Sequence, residues 1–224
     1  MSRFTSHLFV TGVALALPVM AFTSNASADD VIANGGFELG TGTSADGWQL
    51  VGLQPGTRDS SNPFAGDWAL KLEAIGSPAA GPNSVGLQNG IEDGGLPGLE
   101  ELTTVDVSFY WASNFGPGGV ASAAARILDG TGNIVDNQVI NNLPDTGGAY
   151  QMLSFATLNV PAFGADPADE YTLFIEFSAA AGAFDGSSSG GFIDNVVATG
   201  TLVPEPASLT LLGLGGLAIV RRRR

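Results

Sequence analysis

Short apolar runs with a two-residue rhythm recur along the whole middle of this chain. Val105, Val107, Phe109 and Trp111 alternate with Asp106, Ser108 and Tyr110, and Tyr171, Leu173, Ile175 and Phe177 alternate with Thr172, Phe174, Glu176 and Ser178. A period of two with one apolar and one more polar face is the mark of strands lying on a single core. The same reading predicts strands near Trp48–Leu53, Trp68–Ala74, Ser84–Gln88, Thr103–Ser113, Ala123–Leu128, Asn133–Ile140, Tyr150–Val160, Glu170–Ala179 and Gly191–Thr199. The segments between them are rich in turn formers, with 32 Gly and 12 Pro in the chain. Asp129-Gly130-Thr131-Gly132-Asn133 reads as a hairpin turn, and Gly76–Pro82 and Glu92–Leu99 as long loops. The expected fold class is all-β, a two-sheet antiparallel β-sandwich.

Both ends break the rhythm. At the N-terminus, Arg3, the apolar stretch Leu8–Met20 and Ala26-Ser27-Ala28 form the three parts of a secretory signal peptide, placed at residues 1–28. At the C-terminus, Pro204, Glu205 and Pro206 precede an apolar run from Leu209 to Val220, and Arg221, Arg222, Arg223 and Arg224 close the chain. The prolines keep the backbone extended and accessible. Twelve residues make a helix of about 18 Å against roughly 30 Å of hydrocarbon, and the arginines act as a cytoplasmic stop. The organisation expected is therefore a signal peptide (1–28), a sandwich domain (29–200), and a tail (201–224) with a short hydrophobic helix that holds the precursor in the inner membrane transiently.

Charge and chemistry narrow the function. Between Asp29 and Val203, three basic residues (Arg58, Lys71, Arg126) face 21 acidic ones, which leaves −18. Such a surface repels nucleic acid. There is no cysteine, and the one histidine, His7, lies in the signal peptide. Ser-His-Asp, Cys-His and His-bearing zinc chemistry are thereby excluded from the domain. Carboxylate chemistry remains open in principle, but no spacing among the glutamates singles out a glycosidase pair. The expectation is a protein that is not an enzyme. Exposed aromatic rings can stack on the C–H faces of sugars. Trp111 belongs to the apolar face and is expected in the core, whereas Tyr110 lies on the polar face and is the candidate sugar-binding ring, with Arg126 and Tyr150 as its partners.

Two resemblances extend this reading. The string Val203-Pro204-Glu205-Pro206, followed by the Leu/Gly-rich run and the four arginines, resembles the PEP-CTERM sorting signal. That resemblance implies recognition by an exosortase and delivery to the cell surface or an exopolysaccharide-containing matrix. Asn34-Gly35-Gly36-Phe37-Glu38, Gly66-Asp67-Trp68-Ala69-Leu70-Lys71-Leu72 and Gly191-Phe192-Ile193-Asp194-Asn195-Val196 together resemble the galactose-binding-like jelly roll of carbohydrate-binding modules. It implies a structural Ca²⁺ held by Glu38 and Asp194, with the Gly36 carbonyl and the region of Asp67 supplying further oxygens. Independently of the resemblance, Asp194 lies in an apolar closing strand where an unpaired carboxylate is costly. The function expected is carbohydrate or exopolysaccharide binding by an exported protein. The alternatives are a structural or adhesive matrix protein and, last, a carboxylate-dependent glycoside hydrolase.

Overall fold

The computed structural model describes residues 27–30, 32–77, 83–89, 99, 102–162 and 170–202. Among these residues twelve strands form in chain order: β1 (Ser27–Asp30), β2 (Gln49–Gly52), β3 (Thr57–Asp59), β4 (Ala69–Ile75), β5 (Asn83–Asn89), β6 (Leu102–Ser113), β7 (Val120–Leu128), β8 (Ile134–Asn141), β9 (Gln151–Ser154), β10 (Leu158–Asn159), β11 (Thr172–Ala180) and β12 (Ser188–Leu202). They make two sheets, and every pairing is antiparallel. Sheet A runs β10-β6-β12-β4-β3, with β9 on β6 and β1 on β12; sheet B runs β2-β5-β11-β7-β8. The two-sheet antiparallel sandwich expected from the alternation is the architecture observed.

The core lies between the sheets. Val105, Val107, Phe109 and Trp111 of β6 are buried, as are Leu173, Ile175, Phe177 and Ala179 of β11. Phe109 meets Phe177 edge-on with ring centroids 4.8 Å apart, which joins the sheets through two of their longest strands. Trp111 is fully buried, and its indole N–H donates to the Pro144 carbonyl at 2.9 Å. Its ring packs over Gly191, where an added Cβ would lie 2.6 Å from the indole. A side chain at 191 would displace the largest ring of the core.

Two departures from the expected pattern matter. The run Tyr150–Val160 is broken into β9 and β10, because Phe155 turns inward to pack against Phe109. Two strands escape the pattern: β3 is three residues long and polar, and β1 overlaps the expected signal-peptide junction, so the 28/29 boundary falls inside a strand. β12 also continues two residues past the boundary expected at 200. The hairpin at 129–133 forms as read, with the Asp129 N–H donating to the Asn133 carbonyl at 2.9 Å. The Asp129 carboxyl is pulled down to about 2 by the Thr131 hydroxyl and then the Asn133 N–H. The expected signal peptide before residue 27, residues 78–82 of the loop expected at Gly76–Pro82, residues 92–98 of that expected at Glu92–Leu99, and the tail from Val203 with its expected hydrophobic helix lie outside the described residues.

β12 contains the irregularity that builds the site. Asp194 pairs with Tyr110 and Val197 with Ser108, so three steps on β12 match two on β6: a one-residue bulge. Asn195 takes a left-handed φ of 46° there. The bulge turns both Ile193 and Val196 into the core and leaves Asp194 on the outer side. It also frees the Val196 N–H to donate to the Gly35 carbonyl at 2.9 Å, which fastens the first loop of the domain to its last strand.

Candidate functional site

Outside sheet A, the loop 62–68 lies against the bulge. The Asp194 side chain is fully buried, and its Oδ2 accepts the N–H of Phe64 at 2.8 Å and of Ala65 at 3.0 Å. Oδ1 accepts the Asn195 N–H at 2.6 Å. Burial pushes this carboxyl above the usual range against the pull of those three donors, and the nearby charge of Glu38 pushes the same way. Glu38 Oε1 in turn accepts the N–H groups of Asp67 and Trp68, at 3.0 and 3.1 Å. Glu38 and Asp194 are thus brought together beside Gly36, whose added Cβ would lie 3.9 Å from Glu38 Cγ and 4.0 Å from Asp194 Oδ1. Asp67 enters through its backbone N–H, which donates to Glu38 and places residue 67 beside the pair. Among the described residues, neither Glu38 nor Asp194 forms an ion pair with a Lys or Arg side chain. Lys71 pairs with Glu73 instead, at 3.1 Å.

Arg58 completes this corner. It is buried, its Nε donates to the Phe37 carbonyl and its Nη2 to the Glu38 carbonyl, both at 2.6 Å. Its guanidinium stacks 3.7 Å from the Trp68 ring centroid. Phe37 itself is fully buried with a left-handed φ of 57°, a conformation that a bulky residue keeps only when its surroundings over-determine it.

The candidate sugar residues separate. Tyr110 and Tyr150 come together around a ring that the sequence reading missed. Phe64 stacks on Tyr110 with centroids 3.7 Å apart and planes 15° from parallel, and lies 5.3 Å from Tyr150. Tyr110 is therefore no open platform, since Phe64 covers one face and is itself 43% exposed. The Tyr150 hydroxyl donates to the Asn62 carbonyl at 2.6 Å, and burial together with the Asp194 charge pushes its phenol well above the usual range. Arg126 is a correction. It lies on β7 of sheet B, bonded to Glu176 at 2.9 Å and set 5.6 Å from the Phe174 ring centroid. The outer faces of a sandwich's two sheets point away from each other, so Arg126 cannot share a ligand with Tyr110 and Tyr150.

Next to the aromatic cluster, the outer side of sheet A holds a groove of about 220 Å³. Gly190 and Gly191 are part of its lining; Phe192 supplies a ring, and Asn62, Lys71, Glu73 and Asn114 supply polar groups. Phe192 shares its row with Ala112 on one side and Lys71 on the other, which leaves a small residue beside an aromatic one. Phe192 stood within a recognised motif, but Asn62 and Asn114 sit in loops whose approach no local pattern records.

An all-β sandwich with an outward groove on one sheet is the class these observations define. Residues 202–224 match the PEP-CTERM protein-sorting motif, so the chain is an exported protein that is processed at the membrane. No curated protein matches the sequence. Among solved structures, the chain is similar to TmCBM61, solved in complex with β-1,4-galactotriose: 16% identity, 75% of this chain and 97% of that one, TM-score 0.45. It is also similar to the enzymatically active domain of bacteriophage CBA120 tailspike protein 4, with 16% identity over 78% of this chain but 21% of that one and a TM-score of 0.49. The CBM22-1 xylan-binding domain of Paenibacillus barcinonensis Xyn10C matches at 14% identity, over 81% and 95% of the two chains, with a TM-score of 0.40. The sandwich is established by its own strand order and core, independently of these structures.

Proposed function

We propose that this protein is an exported glycan-binding protein of the cell surface or extracellular matrix, sorted by an exosortase, that engages polysaccharide at the groove on sheet A without catalysis. One observation carries the reading: an exposed groove that sets an aromatic ring, Phe192, among two asparagines and a Lys–Glu pair. Apolar C–H faces of a sugar suit the ring, and its hydroxyls suit amide, ammonium and carboxylate groups. The volume is below the roughly 300 Å³ at which drug-sized ligand pockets begin, and suits a short stretch of a polymer chain. Among the described residues that line the groove, Glu73 is the one carboxylic acid, whereas glycoside hydrolysis in its usual forms uses two.

Electrophoresis through gels cast with exopolysaccharide from the producing culture tests this. The wild-type protein is expected to be retarded, with no reducing sugar released, and Phe192→Ala should weaken retention about tenfold, the effect of losing about 1.4 kcal/mol. Unretarded migration in every polysaccharide tried would favour the structural or adhesive alternative. Sugar release abolished by Glu73→Gln would favour the hydrolase.

A structural Ca²⁺ is the second part of the proposal. The donors suit a hard cation in kind: two neighbouring carboxylates, one fully buried, with no side-chain cation paired to either among the described residues. Glu38, Asp194 and the Gly36 carbonyl would hold the ion, and bound there it would neutralise the like charges and tie the first loop to the last strand. A ligand bound by the folded state alone at ~100 times its dissociation constant stabilises by about 2.7 kcal/mol. At roughly 2–4 °C per kcal/mol, Ca²⁺ should raise the melting midpoint over that in chelator by roughly 5–11 °C. Glu38→Gln or Asp194→Asn should remove the difference. An unmoved wild-type melt, with no calcium by elemental analysis, would leave the pair as hydrogen-bonded carboxylates only.

A further inference from the structure

We infer that Glu38 and Asp194 are positioning residues that clamp the loop 62–68 at two points and thereby set the affinity of the groove. The inference rests on the glycan reading of that groove but concerns residues that do not line it. Two successive N–H groups, those of Phe64 and Ala65, converge on Asp194 Oδ2. The next such pair, from Asp67 and Trp68, converges on Glu38 Oε1. Successive amides aimed at one anion form a small concave nest, so this loop is two nests in series, each filled by a carboxylate. The carboxylates come from opposite ends of the domain, 29–30 and 129–130 residues away from the amides they hold. Gly66 joins the nests with a left-handed φ of 68°, and a Cβ there would sit 2.2 Å from Glu38 Oε1.

What the clamp holds is one wall of the site. Phe64 is pinned by its N–H at Asp194 while its ring stacks on Tyr110. Asn62, two residues earlier, lines the groove and is tied to Tyr150 through its carbonyl. An amide at position 194 has a single acceptor oxygen and cannot serve both the Phe64–Ala65 side and Asn195, which the carboxylate serves with two. Loss of either nest should therefore loosen the loop and move Asn62 without altering any lining side chain.

Amide hydrogen exchange on the purified protein in chelator, which keeps calcium out of the comparison, tests the clamp directly. In the wild type, the amides of Phe64, Ala65, Asp67 and Trp68 should be protected. In Glu38→Ala, which removes the acceptor oxygen, protection should fall at least tenfold at all four, including the two that Glu38 does not touch, and retention in polysaccharide gels should weaken about tenfold. Gly66→Ala, which leaves both carboxylates in place, should do the same; Phe192→Ala should weaken retention with protection unchanged. Protection confined to a local loss at Asp67 and Trp68, or lost at all four with retention unaltered, would overturn the inference. If the wild type binds no polysaccharide, the glycan reading fails separately, and the positioning role fails with it even where the exchange pattern shows the loop to be clamped.

Discussion

Replacing Pro204, Glu205 and Pro206 together by alanine should convert a processed surface protein into a full-length precursor that stays in the inner membrane. Residues 202–224 match the sorting motif, and the prolines are the part of it that an extended-substrate enzyme can read from the backbone alone. The apolar run after them is shorter than an ordinary span, and the expectation is that it holds the chain only while the motif is being read. Wild-type cells should yield a shorter form whose mass lacks Arg221 to Arg224; the triple variant should yield none by immunoblot, with all of the protein in the membrane fraction. A triple variant processed at the wild-type rate would mean that the apolar run and arginines suffice. The sandwich should fold normally in either case, because β12 ends at Leu202, before the motif's prolines.

Arg58→Ala should produce the largest loss of stability among the surface-loop contacts, a fall in melting midpoint of roughly 10 °C. The guanidinium holds two carbonyls, that of the buried and strained Phe37 and that of the exposed Glu38 beside it, and covers Trp68. Leaving such acceptors unpaired costs about 1–3 kcal/mol each, and the cation–ring contact adds about 1 kcal/mol. Arg58→Lys should recover less than half of the loss, since a single ammonium lacks the planar fork that reaches both carbonyls while lying flat on an indole. A melt within 2 °C of wild type for the alanine variant, by circular dichroism, would show that the first loop is held without it.

Strands with a clean alternation were legible because each needs only its own residues to declare its face: β6 and β11 formed where the pattern placed them, with Phe109, Trp111, Ile175 and Phe177 inward. Glu38 and Asp194 were legible as a pair only through the resemblance of the motifs that open and close the domain. What stayed hidden depends on contacts distant in sequence. Thr57-Arg58-Asp59 carries no apolar rhythm and becomes β3 only because β4 is beside it and Phe37 and Glu38 present their carbonyls to Arg58. Phe64 looked like an ordinary loop residue because its partners, Asp194 and Tyr110, are 130 and 46 positions away. Arg126 was misassigned for the converse reason: a polar strand face says that a residue points outward, but not from which of two sheets.

Amide chemical-shift mapping with exopolysaccharide fragments shows whether glycan binds at sheet A's groove. Shifts should concentrate at Asn62, Lys71, Glu73, Asn114, Gly190, Gly191 and Phe192, and in Phe192→Ala should need about tenfold more fragment to reach the same size. Shifts centred instead on Arg126, Phe174 and Glu176 of the opposite sheet, or no shifts at saturating fragment, would contradict it.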